Sequence, residues 1–156
     1  MNFFTWELLV QIITSFITSV TFAIMFRISR RHLICVGVCG TITYAVYYTV
    51  LFFSSSLFAA GFISSMVTAL YAEIFARLRR APTIVFVLTG IVPTVPGGSL
   101  YRGMRDLLLK NMSGSFNNFG STLEVGIGIA GGIVAVSILF GIAMDTVAKY
   151  KKKRIR

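Results

Sequence analysis

Groups that do chemistry are scarce in this chain. Among its 156 residues are five acids, one histidine and two cysteines. His32 alone cannot supply the several ligands a metal site needs. Cys35 and Cys39 stand four apart on one apolar stretch, too far apart on a helix for a disulfide. They read as small apolar packing residues. The sequence shows no Ser/His/Asp set, no paired catalytic carboxylates and no metal-ligand cluster, so neither an enzyme nor a cofactor is expected. No GxxxxGK[ST] loop for nucleotide binding is present. The N-terminus lacks a basic region and a small-residue cleavage site, so the first apolar run does not read as a signal peptide.

What the chain does have is apolar surface. Hydrophobic residues make up 56 % and charged residues 13 %, both far from soluble averages. The reading is a single all-α domain over 1–156, a polytopic helix bundle whose partner is the lipid bilayer. About five stretches approach the ~20 residues that cross a hydrocarbon core, at about 7–26, 33–53, 57–76, 82–98 and 121–148. The net charge of +10 does not point to nucleic acid. The basic residues sit in short clusters between apolar runs, as topology determinants do, and no recognition module accompanies them.

The first span carries a polar stripe, Gln11, Thr14, Ser15, Thr18 and Thr21, at helical spacing. Two readings stand for it: hydrogen bonds between helices or one wall of a solute path. In the second span Gly37, Thr41 and Ala45 form a small-residue ridge, with Tyr44, Tyr47 and Tyr48 further along. Ser54-Ser55-Ser56 then makes a tight turn into the third span. Near the end of that span Glu73 lies four residues before Arg77, a spacing that suits an ion pair. An ionisable residue in a span is also a functional candidate. The fifth span contains a Gly128/Gly132 GxxxG ridge extended by Ala135, with Gly131 beside it, which predicts tight helix packing within the chain or with a partner. Glu124 and Asp145 lie near its ends, where solvation is easy.

The fourth span is the unusual one. It starts at Pro82 and reaches Pro93 after about eleven residues, or ~17 Å of helix. Pro93-Thr94-Val95-Pro96-Gly97-Gly98 then breaks it, because each proline removes a backbone donor and clashes with the preceding turn. Broken backbone at membrane depth is tolerated only where it is buried in protein or lines a polar cavity. In transporters such breaks mark the substrate site. Ser99 can cap a new helix, giving an amphipathic continuation at 99–110 with Leu100, Met104, Leu107 and Leu108 on one face. The Asn-, Ser- and Gly-rich stretch 111–120 reads as a polar loop.

Charge sets the expected topology. Arg27, Arg30 and Arg31 follow the first span, Arg77, Arg79 and Arg80 the third, and Lys149, Lys151, Lys152, Lys153, Arg154 and Arg156 the fifth. These are twelve of the fifteen basic residues, all on one side of a five-span protein. The positive-inside rule then places the N-terminus outside and the C-terminus in the cytoplasm. An odd number of spans also suits one half of an inverted-repeat pair.

Two segments resemble the membrane domain of the threonine/serine exporter family. They are Glu73-Ile74-Phe75-Ala76-Arg77-Leu78-Arg79-Arg80-Ala81-Pro82 and Gly90-Ile91-Val92-Pro93-Thr94-Val95-Pro96-Gly97, with Tyr101 beyond. Length and layout are similar to the family's small-subunit type, which corresponds to the C-terminal half of longer ten-span exporters. The resemblance implies a multi-pass protein of the bacterial inner membrane, working with a larger membrane subunit that supplies five more spans. It also implies a small carboxylate or amino-acid substrate, such as threonine or serine, or a dicarboxylate such as succinate. The expected role is therefore a subunit of a secondary exporter; the alternative is a non-transporting assembly or scaffold subunit. The expected substrate-binding residues are Pro93, Pro96, Gly97, Gly98, Ser99, Tyr101 and Arg102. A substrate carboxylate would meet the helix start near Ser99 and the Arg102 guanidinium, and opened carbonyls near Val92 and Val95 would meet an ammonium group or a coupling ion. Glu73 and Glu124 are the candidate proton carriers.

Overall fold

The computed structural model describes residues 6–153. All its regular elements are helical. They are α1 (Trp6–Met25), α2 (Leu33–Ser54), α3 (Leu57–Arg79), α4 (Thr83–Ile91), α5 (Gly97–Leu108) and α6 (Met112–Lys153), with 3-10 turns at Arg30–His32 and Val92–Thr94. Helix is the economical answer for such a sequence, because each backbone donor finds its acceptor inside the segment and none is left facing lipid. α1, α2, α3 and α6 are each long and apolar enough to cross a membrane, and α4 with α5, bent by 52° at the break, passes the same test as a pair, the pattern of a broken span or a re-entrant loop. The protein is a multi-pass membrane helix bundle. The Asp145 side chain and the basic tail from Lys149 to Arg156 lie outside the described side chains.

Among the described residues glycine closes none of the helices. The left-handed positions are Arg27, Ser55, Arg80 and Lys110, with φ between 51° and 59°. Three of the four are basic, which suits the negative end of a helix dipole. At each of these three the chain also makes the six-residue closing bond of a Schellman turn, Ile28 N–H to the Ala23 carbonyl (2.9 Å), Ala81 to Ala76 (2.9 Å) and Asn111 to Asp106 (2.8 Å).

Glycine is used instead for contact between helices. A Cβ at Gly61 would lie 2.9 Å from the Val125 carbonyl oxygen and one at Gly128 2.6 Å from that of Phe58. A Cβ at Gly132 would collide with the Phe62 carbonyl and the Ser65 hydroxyl. The GxxxG ridge of α6 is therefore used on α3, within the chain. The two helices run parallel, from Phe58 beside Glu124 to Arg77, whose guanidinium sits 4.7 Å over the Phe140 ring. On α2, Gly37 receives the Phe16 ring and Gly40 the Ser19 side chain. The ridge facing α1 is thus Gly37 and Gly40, one step out of phase with the expected Gly37, Thr41 and Ala45. The core below it gathers Ala23, Cys35, Val36, Ala72, Ala76 and Phe86. Both cysteines are free and buried.

The polar loop expected at 111–120 is helical, and α6 starts at Met112 rather than near Ser121. Ser115 and Asn118 bond across to α5, and Asn111 caps the start of α6. Asn111 Oδ1 accepts from Gly114 N–H at 3.2 Å and caps the new helix. Ser115 Oγ donates to the Gly103 carbonyl at 3.0 Å, and Asn118 Nδ2 to Asp106 Oδ2 at 3.0 Å. Gly103 faces the Phe119 ring, where a Cβ would meet it at 3.0 Å. Small polar residues thus make a close α5–α6 hairpin. The hairpin occupies the part of α6 before Glu124, so it extends ~18 Å past the start of α3 at 1.5 Å per residue. Leu100, Met104, Leu107 and Leu108 of α5 face away from it and are exposed.

Candidate functional site

Three elements meet at the interruption between α4 and α5. Pro93 cannot donate to the α4 ladder, and the chain tightens into the 3-10 turn Val92–Thr94 before leaving helical geometry at Val95 (φ −62°, ψ 127°). Thr94 is buried, and its hydroxyl donates to the Ile91 carbonyl at 2.8 Å. Val95 N–H donates to the Val92 carbonyl (3.2 Å) and Gly97 N–H to that of Val95 (2.8 Å). The two carbonyls expected to stand open therefore each accept one bond within the turn and keep one lone pair.

α5 starts at Gly97, two residues before the expected Ser99 cap, and no side chain caps it. The Pro96 carbonyl accepts from Leu100 N–H at 3.1 Å, so the proline itself opens the helix. Gly97 and Gly98 have no positive φ, and a Cβ at Gly97 would meet nothing within 4 Å. The glycine pair is thus not demanded by a strained turn; it leaves bare backbone at the head of α5, where first-turn N–H groups lack helical partners. The Arg102 Nη2 lies 4.0 Å from the place a Gly98 Cβ would take. Its guanidinium folds back towards that head, while Tyr101 beside it is 70 % exposed.

A cavity of about 230 Å³ opens next to the break, lined by Gln11, Thr14, Ser15, Thr18, Tyr44, Val92 and Pro93. Its two sides are tied by one bond, from the Tyr44 hydroxyl to Gln11 Oε1 at 2.9 Å. Of the expected substrate-binding residues Pro93 lines this cavity; Pro96, Gly97, Gly98, Ser99, Tyr101 and Arg102 follow it on the turn and on α5. The remaining lining comes from Val92, from Tyr44 and from the polar stripe of α1, whose periodicity does not by itself show that it faces the break.

The two candidate proton carriers sit apart from the cavity lining. Glu73 pairs with Arg77 at 3.5 Å. The Glu124 carboxylate accepts from the backbone N–H of Phe58 at 3.2 Å and so caps α3 from a neighbouring helix. Among the described residues no group of three His, Cys, Asp or Glu side chains is placed to hold a metal ion.

Comparison with known proteins gives this arrangement a context. A family described as "Threonine/Serine exporter, ThrE" matches residues 11–152. A curated relative, the "Threonine/serine exporter" of Corynebacterium glutamicum, is 26 % identical over 124 residues, covering 80 % of this chain and 25 % of the relative. The chain thus spans about a quarter of that relative's length. No solved structure matches the chain. With the match running from the polar stripe of α1 through the α4–α5 break and into the C-terminal part of α6, the chain belongs to the threonine/serine exporter family.

Proposed function

We propose that this chain is one subunit of a secondary exporter that moves a small amino acid or carboxylate, threonine, serine or a dicarboxylate such as succinate, across the bacterial cytoplasmic membrane. The observation that carries the reading is the polar cavity between α1, α2 and the break. Interrupted helices beside a polar cavity supply oriented backbone groups where a hydrated solute must shed water. The N-terminus lies outside and the C-terminus in the cytoplasm, following the basic clusters after α1, α3 and α6. In that orientation α5 stands at the external end of the path. Its bare first turn and Arg102 meet the carboxylate through backbone N–H groups, the helix dipole and charge-assisted bonds. Pro93, Pro96, Gly97, Gly98, Ser99 and Tyr101 shape that mouth. The proton-motive force drives export, with Glu73 or Glu124 as the proton carrier.

The cavity is open on the outer surface of the bundle, since Gln11 and Thr14 are exposed. A larger membrane subunit, contributing five further spans, closes it. The relative's greater length supports this reading, because three-quarters of it has no counterpart here. The scaffold alternative draws no support from the GxxxG ridge, which is occupied by α3.

The test is export from cells lacking the endogenous pair. Producing both subunits is expected to restore export of threonine, serine or succinate, and producing this chain alone is expected to restore none. Full activity of the purified single chain in vesicles would end the two-subunit reading, and no export of any of these solutes by the pair would end the exporter reading.

A further inference from the structure

The hydroxyl groups of α1 allow a sharper assignment, which rests on the exporter reading above. Their hydrogens are already committed. Thr14 donates to the Val10 carbonyl at 2.7 Å, Ser15 to that of Ile12 at 2.7 Å and Thr18 to that of Thr14 at 2.7 Å. Thr21 likewise donates to Ile17, at 2.8 Å. None of these four bonds joins α1 to another helix, so the four hydroxyls do not spend their hydrogens on holding helices together. The stripe's bond to a neighbouring helix is made by Gln11, as the acceptor from Tyr44. With their hydrogens turned inward, the hydroxyl oxygens present lone pairs. Thr14, Ser15, Thr18 and Tyr44 therefore line the cavity as acceptors. The Gln11 amide nitrogen is the donor among these side chains, and no lining residue carries a carboxylate, guanidinium or ammonium group. Ser19, one turn behind Ser15 and close to Gly40, is fully buried with no partner for its hydroxyl.

We propose that this α1 wall, with Tyr44, binds the hydrogen-bond-donating end of the transported solute, an ammonium group. Neutral acceptors can surround such a group, and a carboxylate there would face lone pairs instead of donors. The wall and the head of α5 then divide the solute between them, with the cationic end in the cavity and the anionic end at the N–H groups of Gly98 and Ser99, which unlike that of Gly97 have no partner in the turn, and at Arg102. An amino acid satisfies both subsites, whereas a dicarboxylate leaves one carboxylate against the acceptor wall.

Thiol labelling in membranes from cells producing the complete exporter tests this without requiring turnover. Thr14→Cys and Thr18→Cys are compared with Ile13→Cys and Ile17→Cys, which sit on the exposed apolar flank of α1. Cys35 and Cys39 are buried, so the unsubstituted chain is the blank. A water-lined wall predicts that the two Thr positions react with a quaternary-ammonium thiosulfonate at least about tenfold faster than the two Ile positions. Ethylammonium should slow that reaction and succinate should not. Tyr44→Phe should weaken the ethylammonium protection by about threefold to tenfold, the loss of one hydrogen-bond acceptor. Equal, slow labelling at all four positions would show a lipid-facing stripe and overturn the proposal. Protection by succinate equal to or better than that by ethylammonium would overturn it as well. The exporter reading fails separately, on export by the pair, so the two failures are distinguishable.

Discussion

α3 meets α6 backbone against backbone, whereas α1 meets the α4–α5 break across a cavity. At the first contact glycines bring main-chain atoms of the two helices together. At the second, the break adjoins a polar space rather than a packed seam. Both follow from small or helix-breaking residues inside apolar helices, yet the outcomes are opposite. Gly61, Gly128 and Gly132 stay inside continuous helix, where lost side-chain volume becomes close approach. Pro93 and Pro96 interrupt the ladder, where lost donors become a gap. The bundle thus has a rigid, closely packed half and an open half that holds the cavity.

The contrast is broken most severely at Gly132. Leucine there would have to displace the Phe62 carbonyl and the Ser65 side chain, and backbone cannot yield as a flexible side chain can. The cost should exceed the ~1–3 kcal/mol of ordinary overpacking. Gly132→Leu is expected to abolish recovery of monodisperse protein in detergent. Gly126→Leu is the control, because a Cβ at Gly126 meets nothing within 4 Å, and its yield and melting temperature should match the parent. Equal yields for the two variants would mean that the α3–α6 seam is not the rigid half.

Asp106 comes next. Its buried carboxylate accepts from Asn118 at 3.0 Å and from Arg105 at 3.3 Å, and it pins the α5–α6 hairpin. Asp106→Ala removes the cross-hairpin partner of Asn118, which keeps its bond to the Gly114 carbonyl, and should cost ~1 kcal/mol. Thermal unfolding and hydrogen exchange over 97–120 would register the loss. Asp106→Asn should fall between the two, since one carbonyl oxygen remains to accept.

This hairpin is also where sequence reading stops. The spans, the break and the α6 ridge were legible because hydropathy, proline chemistry and GxxxG spacing each act locally. Asn111 to Gly120 was not. Serine, asparagine and glycine are the residues of loops when water satisfies them and of helix contacts when a second helix does, and composition cannot tell which. The Gly103 carbonyl and Asp106 supply that second helix, from across the hairpin. Gly40 was missed for a related reason. A ridge written at spacing four drifts around a helix of 3.6 residues per turn, so the face that α1 covers passes from Gly37 to Gly40 rather than to Thr41. The cavity lining lay between these cases: Gln11, Thr14, Ser15 and Thr18 announced a face, but their position opposite Pro93 is a property of the packed bundle.

On the open half, Gly97→Leu should leave the protein inserted at normal abundance, because its Cβ points into free space, and should lower export per inserted molecule. Arg102→Ala should raise the half-saturating solute concentration about tenfold, the loss of one charge-assisted contact. Arg102→Lys should restore only part of it, because lysine cannot make the bidentate carboxylate pair. Unchanged export for both Gly97→Leu and Arg102→Ala would remove the head of α5 from the path.

The smallest effects on stability are expected at the two carboxylates of the rigid half. Glu124 lends an acceptor to the first turn of α3, a role that glutamine also fills, so Glu124→Gln should shift unfolding by a few tenths of a kcal/mol against ~0.5–2 kcal/mol for Glu124→Ala. Glu73→Gln removes one i,i+4 ion pair, ~0.2–0.5 kcal/mol. Because both glutamine variants keep the fold, they isolate proton carriage. Glu124 is tied to the Phe58 N–H and needs only an acceptor there. Glu73 is paired at 3.5 Å with Arg77, whose side chain is exposed. We expect Glu73→Gln to lose the response of export to an imposed pH gradient in vesicles and Glu124→Gln to keep it. The reverse pattern would move the proton to Glu124, and parental responses from both would leave neither carboxylate in the coupling.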